Sequence, residues 1–446
     1  MPTQPCPRIA TFGAALLSAL ALSACSGGGG GGSGPIPTPT PTATVTPSGK
    51  IDHIVVIIQE NRSFDNLFHA YPNATTATTG YWHQQQVTLQ PFDLASPYSV
   101  DHTHGAWKKG YDGGAMDGFG DVDGGDFGGG TRAPAGVAAY VYVPQAEAQP
   151  YWDLASAYAL SDETFESYQG PSFVSHLFMV AGQSDSMAEN PTGTPWGCDA
   201  PAGTKVQTIG SDGNETGTIF PCVTMTTIAD ELDAKGLSWR YYAPAITGGD
   251  FGANWSAFDA VHNVRYGPDW VNVVSPETQV LTDVAAGNLA NVTYVVPSLN
   301  NSDHPGDGID DGPQWVTSVV NAVESSKFWN STAIVVVWDD WGGWFDSVKP
   351  QIYDYQSLGF RVPLIAISPY AKTNYVSHVK YETASVLRFI ENQFGLAQLT
   401  GVDARAAGLD DLFDFTQTAG RRKTFRLEKG AVRKVMEAAR PGAPDY

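Results

Sequence analysis

IDHIVVIIQENRSFDNLF, residues 51–68, changes character halfway along. Six of the eight residues from Ile51 to Ile58 are Ile or Val, the pattern of a strand buried on both faces in a parallel sheet. Gln59, Glu60, Asn61 and Arg62 follow at once. A carboxylate and an amide at the carboxyl end of a buried strand stand where open α/β sheets place their ligands. Ser63 is then placed to cap a short helix beginning at Phe64.

The same pattern recurs further along the chain. Val292 to Val296 read as a buried strand that runs out into Asn300, Asn301, Ser302, Asp303 and His304. Ala333 to Trp338 read as another, ending in Asp339 and Asp340. Adjacent acids after a buried strand can bend round one hard cation, and Gly342 and Gly343 let the backbone approach closely. Strands at 238–242 and 362–367 alternate with helices at 226–235, 312–324 and 382–393, which predicts an α/β fold on a largely parallel sheet. In GPSFVSHLFMVAG, Phe173, Leu177 and Val180 share one helical face, with Ser172 at the amino end and Gly182 as the stop. A helix is also expected over 151–158. Residues 70–135 show little hydrophobic periodicity and read as a long excursion over the active-site face. Within it, Asp121, Asp123 and Asp126 read as a flexible acidic loop rather than a calcium site, because no closing Glu follows.

QENRSFDNLF resembles the ENxSFD signature of the bacterial phosphoesterase family that contains phospholipases C and certain acid phosphatases, a branch of the alkaline-phosphatase-like superfamily. DHTHGAW, DGGAMDGF, GPSFVSHLFMVAGQS, SWRYYAP, SDHPGDG and VVVWDDWGGWFD follow in the family's order. The resemblance implies a three-layer αβα fold with long loops over the active-site face. It implies a divalent metal ion (Mg, Mn, Ca or Zn) held by Glu60, Asn61, Asp339 and Asp340. It implies Ser172 as nucleophile, with His102, His304 and His262 contacting the phosphoryl group or protonating the leaving oxygen; His104 is a near neighbour of His102. The chain departs from the family pattern at Val174 and Ser175, where Pro-Asn is common, at Asp340, where Glu is frequent, at the bulkier Trp341, and at Ser347, where His is usual. A G-x-S-x-G elbow is absent, which disfavours an ordinary Ser-His-Asp esterase. The short distance from the last motif to the end of the sequence favours a phosphomonoesterase. The aromatic loops and a lipid anchor suit a phospholipase C, and a surface lipoprotein binding phosphorylated ligands without turnover is the alternative outside the enzymes.

The formal net charge of −21 argues against nucleic acid as a partner. Arg8, the apolar run Ile9–Leu22 and the lipobox-like Leu22-Ser23-Ala24-Cys25 predict a lipoprotein signal over 1–24, with Cys25 acylated and the protein exported to the periplasm or cell surface and anchored to a membrane. Residues 25–49 are a Gly/Ser- and Pro/Thr-rich tether, 50–415 the catalytic domain, and 416–446 a basic tail. With Cys6 removed and Cys25 acylated, Cys198 and Cys222 remain as the pair for a disulfide in an oxidising compartment.

Overall fold

A computed structural model describes residues 48–427, except 127, 128, 130, 131, 307, 309, 310, 400, 421 and 422. The signal segment, Cys25, the tether up to residue 47, Asp307, Asp310 and the tail beyond 427 lie outside the described residues.

The central sheet has eight strands: β1 His53–Gln59, β2 Ala159–Ser161, β3 Trp239–Tyr242, β4 Val273–Val274, β5 Val292–Val295, β6 Thr332–Trp338, β7 Leu364–Ile367 and β8 Tyr375–Ser377. They lie in the order β4-β3-β5-β1-β6-β7-β2-β8. β1 therefore sits between β5 and β6, parallel to both, with Ile57 beside Val295 and Val336. β7 runs antiparallel to both its neighbours. Every residue from Ile54 to Ile58 is fully buried, as are those of β6. Burial on both faces explains why these strands carry apolar runs rather than alternation.

The helices that bear on the argument are α1 Phe64–Leu67, α2 His104–Tyr111, α3 Gln149–Ala157, α4 Ser172–Ala181, α5 Ile228–Ala234, α6 Gln279–Ala285, α7 Gly312–Ser325 and α8 Ser385–Phe394. α4 packs with α5 and α8, whereas α3 and α6 pack with α7. The result is a mixed α/β protein with helical layers about a mostly parallel sheet. Parallel strands need helical crossovers, and these cover both faces. No helix among the described residues is long and apolar enough to cross a membrane.

Residues 70–135 differ from expectation. They contain α2, a hairpin of Thr79–Trp82 with Gln85–Thr88, and a small sheet of Tyr98–Val100, Asp123–Asp126 and Ala133–Pro134. These pieces close over a second core made largely of aromatics, including Trp107, Phe119, Tyr140, Trp341, Trp344, Phe345 and Phe360. Phe119 alone meets Trp341 at 5.7 Å, Phe345 at 5.1 Å and Phe360 at 4.8 Å between ring centroids. Strands of two to four residues are too short to show periodicity, and their packing partners lie far away in sequence. The acids of the expected loop are engaged separately: Asp121 with Trp82 and His83, Asp123 with Lys109. Cys198 and Cys222 form a disulfide with a Cα–Cα distance of 4.5 Å.

Candidate active site

The carboxyl end of β1 turns sharply to present two successive side chains. Asn61 takes a left-handed backbone, φ 59°, a conformation that Asn tolerates better than most residues. Its N–H donates to Asp339 Oδ1 at 3.0 Å. One residue on, Asp340 Oδ1 accepts from the N–H of Gly342 at 2.8 Å. Gly342 has φ 67°, and a Cβ there would collide with the Asn61 carbonyl. Glycine at this position is what lets the corners after β1 and β6 touch.

The third contribution comes from α4. Ser172 is its first residue, and Asn190 Oδ1 accepts from the N–H of Phe173 at 3.1 Å. Ser172 Oγ donates to Asp340 Oδ2 at 3.1 Å and accepts from Asn61 Nδ2 at 3.0 Å. One turn further along the same face stands His176, buried, with Nε2 2.8 Å from Glu60 Oε1 and 3.8 Å from Asp339 Oδ2. Sequence reasoning missed His176. Its signal was the i, i+4 spacing from Ser172, which puts both side chains on one stripe of the helix.

Glu60, His176 and Asp339 each bring a ligand atom to within 4.8 Å of the others. Burial, and then the charges of Asp339 and Asp340, hold the Glu60 carboxyl well above the usual range. Burial and the Asp340 charge push Asp339 up to about 6. Burial brings His176 down to about 4, so its imidazole is neutral and fit to ligate. Glu60 Oε2, Asn61 Oδ1 and Asp339 Oδ2 are buried with no hydrogen-bond partner among the described residues. Orphaned buried oxygens beside a neutral imidazole, in a group of carboxylates that repel one another, fit a divalent cation.

The cluster opens into a cleft of about 430 Å³ whose lining includes His102, Ser172, Asn190, Trp255 and His304. His102, which lines the cleft, donates from Nδ1 to the Val100 carbonyl at 3.0 Å. Its ring centroid is 6.1 Å from that of His304, which stacks on Trp255 at 5.7 Å. Burial lowers the His102 pKa, but Asp340, the bond to Val100, Asp101 and Asp339 together outweigh it, and the net shift is upward. His304 is held well below its ordinary value by burial, then by His102 and Arg62. Two imidazoles with oppositely shifted pKa values suit separate acid and hydrogen-bonding roles.

The other expected residues fall elsewhere. His104 points into the core, with Nδ1 2.6 Å from the Gln169 carbonyl and its ring stacked on Tyr168. His262, itself exposed, opens a one-turn helix, His262–Arg265, against Tyr266, and is not part of the cleft lining. The HNVRYG pattern shows a polar turn but not its direction. Asp346, which precedes Ser347, is taken up by Arg361, whose Nε lies 2.7 Å from Asp346 Oδ1 and whose Nη2 reaches Asp65.

A mostly parallel sheet thus delivers carboxylates and an amide to a helix-borne hydroxyl beside a histidine-lined cleft. The chain belongs to the phosphoesterase family, whose profile matches residues 51–397. It is similar to the non-hemolytic phospholipase C of Pseudomonas aeruginosa, 25% identical over 409 residues, covering 78% of this chain and 54% of that enzyme. Phospholipase C A of Mycobacterium tuberculosis is 25% identical over 419 residues (78% of this chain, 73% of the relative). Non-specific phospholipase C6 of Arabidopsis thaliana is 25% identical over 420 residues (82% and 73%). The chain thus spans about half the length of the Pseudomonas phospholipases, 54% and 56%. Among solved structures, a protein in the alkaline phosphatase superfamily from Vibrio parahaemolyticus covers 87% of this chain and 73% of its own, with a TM-score of 0.38 and 10% identity.

Proposed function

We propose that the protein hydrolyses phosphate esters through Ser172, in two steps and with a divalent metal ion at Glu60, Asn61, His176, Asp339 and Asp340. The observation that carries this reading is the position of Ser172 Oγ. It is held between Asp340 and Asn61 at the amino end of α4, beside the orphaned oxygens of Glu60 and Asp339.

The bound ion would lower the hydroxyl pKa and offset charge developing on the phosphoryl oxygens. Asp340 Oδ2 orients the Ser172 proton away from the attacking lone pair, and the positive end of α4 favours the developing negative charge. Ser172 Oγ passes its proton to Asp340 Oδ2 and bonds to phosphorus as the ester P–O bond breaks, leaving a phosphoseryl enzyme. Protonated His102 can give a proton from Nε2 to the departing alkoxide. Neutral His304 hydrogen-bonds the phosphoryl group from the opposite wall. Water then gives a proton to the now neutral His102 and its oxygen to phosphorus, Ser172 Oγ departs and recovers its proton from Asp340, and phosphate or a phosphomonoester leaves.

Two substrate classes are supported by different observations. Arg132 at the cleft, with the upward-shifted His102, favours a dianionic phosphomonoester. The relatives are named phospholipases C, which favours a phospholipid diester. Hydrolysis of p-nitrophenyl phosphate beside p-nitrophenylphosphorylcholine separates them, using residues 49 onward loaded with divalent metal. Preference for the monoester is expected, and Ser172→Ala should lower kcat by on the order of 10³-fold or more. An unimpaired Ser172→Ala enzyme would remove the nucleophile; ligand retention without turnover on either ester would leave a binding protein.

Export and acylation at Cys25 are part of the same reading, supported by the lipobox-like segment and by a disulfide that suits an oxidising compartment. Membrane fractionation should be lost in Cys25→Ser; unchanged fractionation would rule the anchor out.

A further inference from the structure

Three corners meet at the site, and one buried side chain is bonded to the backbone of the turn that carries His304. Gln59, the last residue of β1, accepts from the N–H of Asp303 through Oε1 at 3.0 Å and donates from Nε2 to the carbonyl of Asn301 at 3.1 Å. Its own carbonyl accepts from the N–H of Asp339 at 3.0 Å. The amide edge of Gln59 thus presents a donor and an acceptor to this turn, as a neighbouring strand would. From its other side, Arg62 Nε donates to the Asp303 carbonyl at 2.8 Å. His304 follows directly, with its N–H donating to Ser302 Oγ at 3.1 Å.

We propose that Gln59 is a positioning residue, which sets His304 at its working distance from Ser172 and ties that setting to the Asp339 corner. The proposal rests on the role given to His304 above. A residue that only filled space here could be any side chain of similar size. Positioning needs both ends of the amide, because leaving Asp303 N–H and Asn301 C=O buried and unpaired frees the turn to shift. Misplacement by about 1 Å at such a contact costs on the order of 10²-fold in rate.

The test compares Gln59→Met with His304→Ala and the double variant, all metal-loaded and assayed on whichever ester the unmodified enzyme hydrolyses. Gln59→Met should retain its metal, lose on the order of 10²-fold in kcat/KM, and add little further loss in the His304→Ala background. Losses that multiply in the double variant would overturn the proposal. A readout independent of turnover is amide exchange in the unmodified protein. The Asp303 amide should be protected to the degree of the Val295 amide in β5, and Gln59→Met should abolish that protection while α4 stays protected. Fast exchange at Asp303 in the unmodified protein would overturn the proposal even if no substrate were ever found. If His304→Ala is fully active while the exchange results hold, it is the reading of His304 that fails and not the clamp.

Discussion

Asn61, Asp340, Ser172 and His176 show how far individual residues could be read before the fold. Carboxylates stranded after an apolar run betray themselves, because nothing in packing calls for them, and the family resemblance supplied the roles. Glu60, Asn61, Asp339 and Asp340 could therefore be singled out before the fold, and the structure gathers them beside Ser172, while their roles belong to the proposed function. His176 was hidden inside a helix whose apolar stripe absorbs attention; its spacing from Ser172 gives the face, and its partner Glu60, 2.8 Å away, gives that face its meaning. His262 is the opposite case: a histidine in a promising local pattern that is exposed and outside the cleft lining. At this scale His176→Ala should weaken divalent metal binding by at least about tenfold, measured by competition with a chelator, while the helix content stays unchanged. Metal affinity equal to the parent's would show that the carboxylates and Asn61 suffice without the imidazole.

Among the elements, the longer buried strands and the helices of the sequence reading lie within a few residues of those observed, because burial on both faces leaves an unbroken apolar run and Gly stops such as Gly182 end helices cleanly; the three-residue strand Ala159–Ser161 and the helix Gln279–Ala285 were not read. The short strands of residues 70–135 were not, since each gains its stability from aromatic partners elsewhere in the chain. A second local feature lies beside the disulfide. Asp259, at the end of the turn Ala257–Asp259, shares Arg265 with Asp199, at 3.1 and 2.8 Å from Arg265 Nε. Burial, followed by the Asp199 charge, pushes Asp259 up to about 8. An unfolded Asp titrates near 4, so between these values the folded state holds more protons than the unfolded one. Stability from this group is complete at low pH and is lost as pH rises towards about 8. Thermal melts between pH 5 and 9 should therefore fall less steeply for Asp259→Asn than for the parent protein. Parallel profiles would place the pH dependence elsewhere.

For the whole molecule, the sheet order was beyond reach of local patterns. Nothing in the apolar run of β7 says that it runs against its neighbours, since direction is set by the crossovers and not by the strand. The disulfide was within reach, because so few cysteines compete for pairing. Closing the 24-residue interval between Cys198 and Cys222 stabilises the fold by roughly 3 kcal/mol on the loop-entropy estimate. Replacing both with Ser should lower the urea midpoint accordingly, and a midpoint unmoved under oxidising conditions would contradict that estimate.

The second core has one more consequence. Trp341, Trp344 and Phe345 follow immediately on Asp339 and Asp340 and are shared with the cover built from residues 70–140. The roof over the cleft and the acids beneath it are thus joined by a few peptide bonds and held by edge-to-face and tilted ring contacts. A roof fastened in this way cannot swing on a hinge without dragging the acids along. On the proposed function, selection among esters would then fall to the shape of a fixed doorway, as with a keyhole, and not to a closing hand.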